Sequence, residues 1–311
     1  MNPTCRIRPS AACPILTFIR HSGHRRPGVG LCHRQRRAVR SRFTTGPTIM
    51  TQGTVLITGA SSGIGAVYAD RFAGRGHDLI LVARNKARLD AVAEDLTRRH
   101  GVSVRTVEAD LTDRAGLAVV EAILKDEAGI THLVNNAGFG SAAPLAAASV
   151  DEMERMIAIN VTAPMRLTYA AVPAFTSRGQ GTIINIASIV AIGPEVLNGV
   201  YGGSKSFVLG FSHALRKELA GTGVAVQVVL PGATGTEFWD VAGLPASNLP
   251  KEWVMSAEDL VDAALAGLDR GEFATIPSLQ DAAEWDAWEA ARATMLPHLS
   301  SAVPAARYRA A

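Results

Sequence analysis

The chain has 311 residues, 48% hydrophobic and 19% charged, enough to build a sizeable core in one large or two small domains. Its formal net charge of +3 is unevenly placed: residues 1–49 hold ten arginines and no acidic residue, which leaves 21 basic against 28 acidic groups, net −7, in the rest. An acidic body argues against a nucleic-acid protein, no apolar run reaches the ~20 residues that cross a bilayer, and a body without cysteine (Cys5, Cys13 and Cys32 all precede residue 50) can hold neither a disulfide framework nor a thiolate metal site.

Residues 1–49 read as a disordered basic extension, being arginine-rich and without periodicity. Three readings stay open for them: text upstream of a real start at Met50, a targeting tail, or a functional basic arm, which alone would allow nucleic-acid binding. From residue 54 the pattern alternates. "TVLIT", "DLILVA", "VSVRTVEA", "HLVNN", "GTIINIAS", "VAVQVVL" and "FATI" read as strands. Helices lie between them: "GIGAVYADRFAGRG", "KARLDAVAEDLTRRHG" with Asn85 as cap and Gly101 as stop, "DRAGLAVVEAILKDEA", one long helix from Ser149 to Gly179, the segment around Tyr201, and "SAEDLVDAALAGLDRG". Continuously apolar strands separated by helices mean βαβ units and a parallel sheet. The expected fold is α/β, a single doubly wound Rossmann-type domain over residues 50–280, with a C-terminal helix and tail over 281–311. Trp285 and Trp288 in that helix read as packing residues. The histidines His77, His100, His132, His213 and His298 have no ligand spacing, and no metal is expected.

Two stretches carry chemistry. "TGASSGIG", Thr58 to Gly65, ends the first strand and opens the first helix. Its glycines allow a tight turn and a close backbone approach, so that a pyrophosphate can sit on the free N–H groups of the helix N-terminus. In "GVYGGSKSFVLGFSHALRKEL", Tyr201 and Lys205 stand four apart and face the same way on a helix. A phenol near its ordinary pKa of about 10 is a poor base at neutral pH. The reading is that a neighbouring ammonium stabilises the phenolate and lowers that value. Gly202 and Gly203, each worth about 1 kcal/mol less than alanine in a helix, are expected to leave room for cofactor and substrate.

The spacing of Gly59, Gly63 and Gly65 resembles the TGxxxGxG fingerprint of the short-chain dehydrogenase/reductase superfamily. Asp110, "NNAG" (Asn135–Gly138), Asn160, Ser188, Tyr201-xxx-Lys205 and Pro231-Gly232 follow in the family's order. The resemblance spans about residues 53–275. It implies that Ser61, Ser62, Ile64, Leu111, Asn136, Ala137, Gly138, Pro231, Gly232, Thr234 and Thr236 touch the dinucleotide alongside the glycines. It also implies that Asp110 reaches the adenine and Lys205 the nicotinamide ribose. Catalysis would fall to Tyr201 as acid/base, Ser188 on the substrate oxygen, and Asn160 holding a water that relays protons to Lys205. Thr234 departs from the family's valine in "PGATGTEF".

After the second strand, "LVARN" has Arg84 where a carboxylate would bind a ribose diol, and a guanidinium suits a 2′-phosphate. NADP(H) is therefore expected over NAD(H). Ile189, Val190, Ile192, Val196, Leu197, Phe238, Trp239 and Leu244 make the expected substrate surround apolar, with Ser188, Ile192 and Tyr201 in contact. The expected function is a cytoplasmic NADP(H)-dependent oxidoreductase acting on the carbonyl or alcohol carbon of a hydrophobic small molecule, as a homodimer or homotetramer. The alternative is a dinucleotide-sensing protein without turnover.

Overall fold

A computed structural model describes residues 52–309; the readings for residues 1–49 fall outside them. Seven strands run β1 Thr54–Thr58, β2 Asp78–Ala83, β3 Val104–Glu108, β4 Ile130–Asn135, β5 Gly181–Ile186, β6 Val224–Val229 and β7 Ala274–Thr275. They form one sheet in the order β3-β2-β1-β4-β5-β6-β7, and every neighbouring pair is parallel. The order reverses between β1 and β4, and in such sheets ligands bind at the carboxyl ends of the strands beside that point. β7 keeps only two residues of the expected "FATI" strand, paired with Val228 and Val229.

The helices are α1 Gly63–Gly74, α2 Lys86–His100, α3 Arg114–Asp126, α4 Val150–Ile157, α5 Ala163–Arg178, α6 Gly199–Glu218, α7 Phe238–Val241, α8 Ala257–Asp269 and α9 Ala282–Met295. Successive side chains of a strand point to opposite faces. Val55 and Ile57 thus join α1, α2 and α8 in one core layer with Tyr68, Phe72, Leu89 and Leu260. Leu56 turns the other way, into a layer with Leu117, Leu124, Leu167, Phe175 and Leu215 from α3, α5 and α6. Both faces of the sheet are covered, which is why the strands are apolar without alternation.

Local chemistry sets the helix ends. Asn85 accepts from the Arg88 N–H and Gly101 closes α2 at φ +70°, as its sequence indicated. The expected long helix is continuous from α4 to α5 but widens between them into a π-turn, Ala158–Thr162, which carries Asn160. The cause is a competing set of bonds. Asn160 donates through Nδ2 to Phe139 O (2.9 Å) and Ser204 Oγ (3.0 Å), and accepts from Phe139 N at 3.2 Å. The wider turn aims the amide at those partners.

The weak head of the Tyr201 helix also has an explanation. Asn198 caps α6, accepting from Val200 and Tyr201 N–H, and its Nδ2 donates to Ala143 O at 2.7 Å. Gly202 is not space for a ligand: a Cβ there would lie 2.5 Å from Pro194 O, so the glycine admits the turn that follows β5. Gly203 meets nothing within 4 Å and is exposed. Trp285 stacks on Trp288 with centroids 4.9 Å apart and packs beside Phe273 and Val208, in keeping with the packing role expected of it.

Candidate active site

Along the carboxyl ends of the strands runs one cavity of about 1810 Å³. Single ligand pockets are usually on the order of 300–1,000 Å³, so this cleft has room for a dinucleotide and a second molecule. Gly59, Ser61, Ser62, Gly63 and Ile64 line its floor. Ser62 precedes α1 without a side-chain hydrogen bond to the first turn, which leaves those N–H groups free for an anion. Gly59 sits at φ +68°, and a Cβ on it would lie 2.8 Å from Asn136 Nδ2. Gly65 does not line the cavity as expected: a Cβ on it would lie 2.3 Å from Gly59 O, so it serves the packing of the loop on the helix.

The "NNAG" stretch has a structural task that spacing did not reveal. Thr58 Oγ1 accepts from the N–H groups of Asn136 and Ala137, both at 3.0 Å, and Asn136 Nδ2 donates to Thr58 O at 2.9 Å. The loop after β1 and the loop after β4 are therefore laced together. One residue earlier, buried Asn135 donates to Asn185 Oδ1 at 2.9 Å and to Thr168 Oγ1, and Asn185 Nδ2 donates to Ser212 Oγ. That polar ladder fixes α5 and α6 to the sheet.

At one end of the cavity stand Arg84, Asp110, Leu111 and, unforeseen from sequence, Lys86, Arg88 and Arg155. Arg84 is exposed and makes no ion pair among the described residues. Asp110 does not cap α3, a task that falls to Asp113; it accepts from Thr112 N and Oγ1. Burial pushes its carboxyl up, but the bonds from Thr112 and the charges of Arg84 and Arg155 outweigh this and hold it low. Arg88 makes a bidentate ion pair with Glu237, at 2.8 and 2.5 Å, which spans from α2 to the segment before α7.

At the other end Ser188, Tyr201 and Lys205 converge, with Gly138, Pro231, Gly232, Thr234 and Thr236 around them. Tyr201 and Lys205 are buried at 5% and 7% exposure. The Lys205 Nζ lies 5.9 Å from the Tyr201 ring centre and donates to Ile186 O at 3.0 Å. The structure reverses the expected depression of the phenol. Burial pushes Tyr201 up to about 12, the hydrogen bond with Ser188 opposes that only in part, and burial pulls Lys205 down to about 8. Desolvation of both groups outweighs the effect of the distant ammonium. Tyr201 therefore holds its proton at neutral pH.

Asn160 lies behind this cluster, not in the cavity wall. A Cβ on Gly138 would lie 2.7 Å from Asn160 Oδ1, so the glycine lets the loop after β4 pack closely on that amide. Ile192 is likewise outside the lining, 38% exposed beyond the turn, and does not contact the substrate space. Ile189, Val190, Val196 and Leu197 form one apolar wall and Phe238, Trp239, Val241, Leu244, Leu249 and Trp253 the other. Val241, Leu249 and Trp253 fall within residues 234–257, the segment expected to enclose the substrate, but were not singled out there.

A glycine loop under an open helix N-terminus, in one cleft with a buried serine, tyrosine and lysine, marks a nucleotide-dependent oxidoreductase of the α/β type. The family model for short chain dehydrogenases matches residues 53–243, and the chain belongs to that family. Among solved structures it is 49% identical, with a TM-score of 0.81, to a short-chain dehydrogenase from Sphingobium yanoikuyae in complex with NADPH; the match covers 83% of this chain and 100% of that one. It is 42% identical, with a TM-score of 0.77, to the bulky-bulky ketone specific alcohol dehydrogenase from Comamonas testosteroni, over 83% of this chain and 99% of that one. Among curated relatives it is 40% identical over 190 residues to sulfoacetaldehyde reductase from Chromohalobacter salexigens, 59% of this chain and 73% of the relative.

Proposed function

We propose that the protein is an NADP(H)-dependent carbonyl reductase for ketones flanked by bulky apolar groups. The observation that carries this reading is a single cleft that joins the Arg84 end to Ser188, Tyr201 and Lys205 and then opens between two apolar walls. The residues fit the dinucleotide. The uncapped start of α1 and the glycines Gly59 and Gly63 that line the cavity beside it suit a pyrophosphate. Arg84 suits a 2′-phosphate, and the NADPH complex of the Sphingobium relative supports the same choice.

When bound, NADPH supplies the hydride. Ser188, whose Oγ accepts from Val190 N, holds the carbonyl oxygen toward the phenol. Tyr201 donates its proton to that oxygen as charge develops there. Being protonated up to about 12, it stands ready as an acid at neutral pH. Lys205 stabilises the resulting phenolate and holds the nicotinamide ribose. Asn160 keeps the loop at Phe139 and the hydroxyl of Ser204 in register beside them.

The substrate class follows from charge and shape. The other cations of the cavity are Arg84, Lys86 and Arg88 after β2 and Arg155, which acts on Asp110; between the apolar walls Lys205 is the one cation among the described residues. A sulfonate such as sulfoacetaldehyde would find no partner there, whereas a ketone with two large apolar arms, of the kind named for the Comamonas relative, would bury both. A panel of aryl and alkyl ketones, short aldehydes and sulfoacetaldehyde, followed by NADPH absorbance, tests this. Bulky ketones should lead in kcat/KM, and preference for sulfoacetaldehyde would overturn the reading. The assembly proposed is a homodimer or homotetramer through the exposed sides of α5 and α6, where Tyr169 is 70% exposed and Phe207 stacks on Phe211 at 5.6 Å. Among the described residues no helix is long and apolar enough to cross a membrane.

A further inference from the structure

The segment around α7 reaches back over the site and touches the phenol itself. Phe238 packs against Tyr201 with ring centres 5.7 Å apart and planes at 46°. The contact depends on a notch. Gly140, in the loop after β4, has no side chain; a Cβ there would lie 2.5 Å from Phe238 Cζ and 3.2 Å from Tyr201 Cε2. The two rings share one apolar cluster with Met153, Met156 and Val190. Phe238 is itself held in place. Trp239 stands edge-on to it at 5.4 Å and donates from its indole to Thr234 O, Ala142 N donates to Ala242 O at 2.9 Å, and Glu237 is tied to Arg88.

We propose that Phe238 is a positioning residue for Tyr201: seated in the notch at Gly140, its ring covers the phenol from the side of α7 and keeps water from it. Burial is the leading cause that raises the Tyr201 pKa, and Phe238 supplies part of that cover. The groups that face the phenol leave few other determinants. α6 presents Lys205 and the turn after β5 presents Ser188, while α4 presents Met153 and Met156. The acids Glu195, Glu237 and Asp240 are exposed, and Glu237 is paired with Arg88. The proposal rests on the acid role given to Tyr201 above, but its physical core, a ring that dries a phenol, can be read without turnover.

The test uses the full chain saturated with NADP+, with Phe238→Ala, Phe238→Leu and Gly140→Ala, the last keeping the ring but filling its notch. The tyrosinate absorbance of each is read near about pH 10.5 against the same protein carrying Tyr201→Phe, so that only Tyr201 is counted. Phe238→Ala and Gly140→Ala should raise the Tyr201 tyrosinate fraction by about tenfold, the effect of rewetting a half-dried group. Phe238→Leu, which restores apolar cover, should return most of it. The pH profile of kcat/KM for alcohol oxidation should move to lower pH in the same order. An unchanged absorbance and profile in Phe238→Ala, with only KM raised, would overturn the proposal and leave Phe238 as a substrate contact. Should no carbonyl or alcohol be turned over, the functional reading fails, and the absorbance still decides this one.

Discussion

Acidification should destabilise this protein through a pair of histidines far from the cleft. His132 on β4 and His77 before β2 stand edge to face with ring centres 5.0 Å apart, and Phe72 touches both at 5.4 Å. Burial is the main cause that lowers His132 to about 4, and the neighbouring charge of His77 adds to it; His77 is lowered too, again mainly by burial. A histidine held neutral in the fold contributes stability above its unfolded value of 6.5, and that stability is lost as pH falls toward the folded value. At 1.36 kcal/mol per pH unit, the interval from 6.5 to about 4 is worth about 3 kcal/mol for His132 alone. Whole domains hold only about 5–15 kcal/mol. The carboxylates act lower: Asp70, held near 2 by His100, Arg99 and Arg71 against the opposing effect of burial, loses its contribution only below 3.8. Urea midpoints measured between about pH 7 and 4.5 should therefore fall steeply in the wild type and more gently in His132→Phe, which keeps a ring against Phe72 but cannot titrate. Equal slopes for the two proteins would refute the reasoning, whatever the variant does to stability at neutral pH.

Tyr201→Phe removes the proton donor without touching the nucleotide half of the cleft; carbonyl reduction should fall by more than about tenfold, as loss of a general acid does, while NADPH fluorescence titration still shows binding. Arg84→Asp replaces a partner of the 2′-phosphate by a repelling charge, so the ratio of kcat/KM for NADPH over NADH should invert, and an unchanged ratio would acquit Arg84 of the discrimination. Light scattering on residues 50–311 at micromolar concentration should give a dimer or tetramer mass, since Tyr169 on α5 and Phe207 on α6 leave apolar surface on helices that already cover the sheet. A monomer mass would remove the basis for that assembly.

The fold was legible in the sequence because its signals are local and strong. Strands such as "TVLIT" and "DLILVA" are apolar along their whole length, and each is followed by a cap or a glycine stop, so periodicity and punctuation agree at almost every boundary. The joint placement of Gly59, Ser188, Tyr201 and Lys205 on one cleft was legible too, because Gly59 and Ser188 stand at the carboxyl ends of strands, Tyr201 lies on the first turn of α6, and Lys205 follows it one turn later on the same face. Tertiary structure alone decided what those groups experience. A spacing of four places Lys205 near Tyr201, but only burial in the folded chain, in a cluster with Met153, Met156 and Val190, turns the expected fall in the phenol's pKa into a rise. The same holds for Gly202 and Asn160, whose partners Pro194 and Phe139 lie on other segments of the chain. It holds as well for His77 and His132, 55 residues apart along the chain and ring to ring only because β1 pairs with both β2 and β4. Sequence pattern carries information at the range of a helix turn or a strand, whereas desolvation and close approach are sums over neighbours that only the assembled sheet brings together.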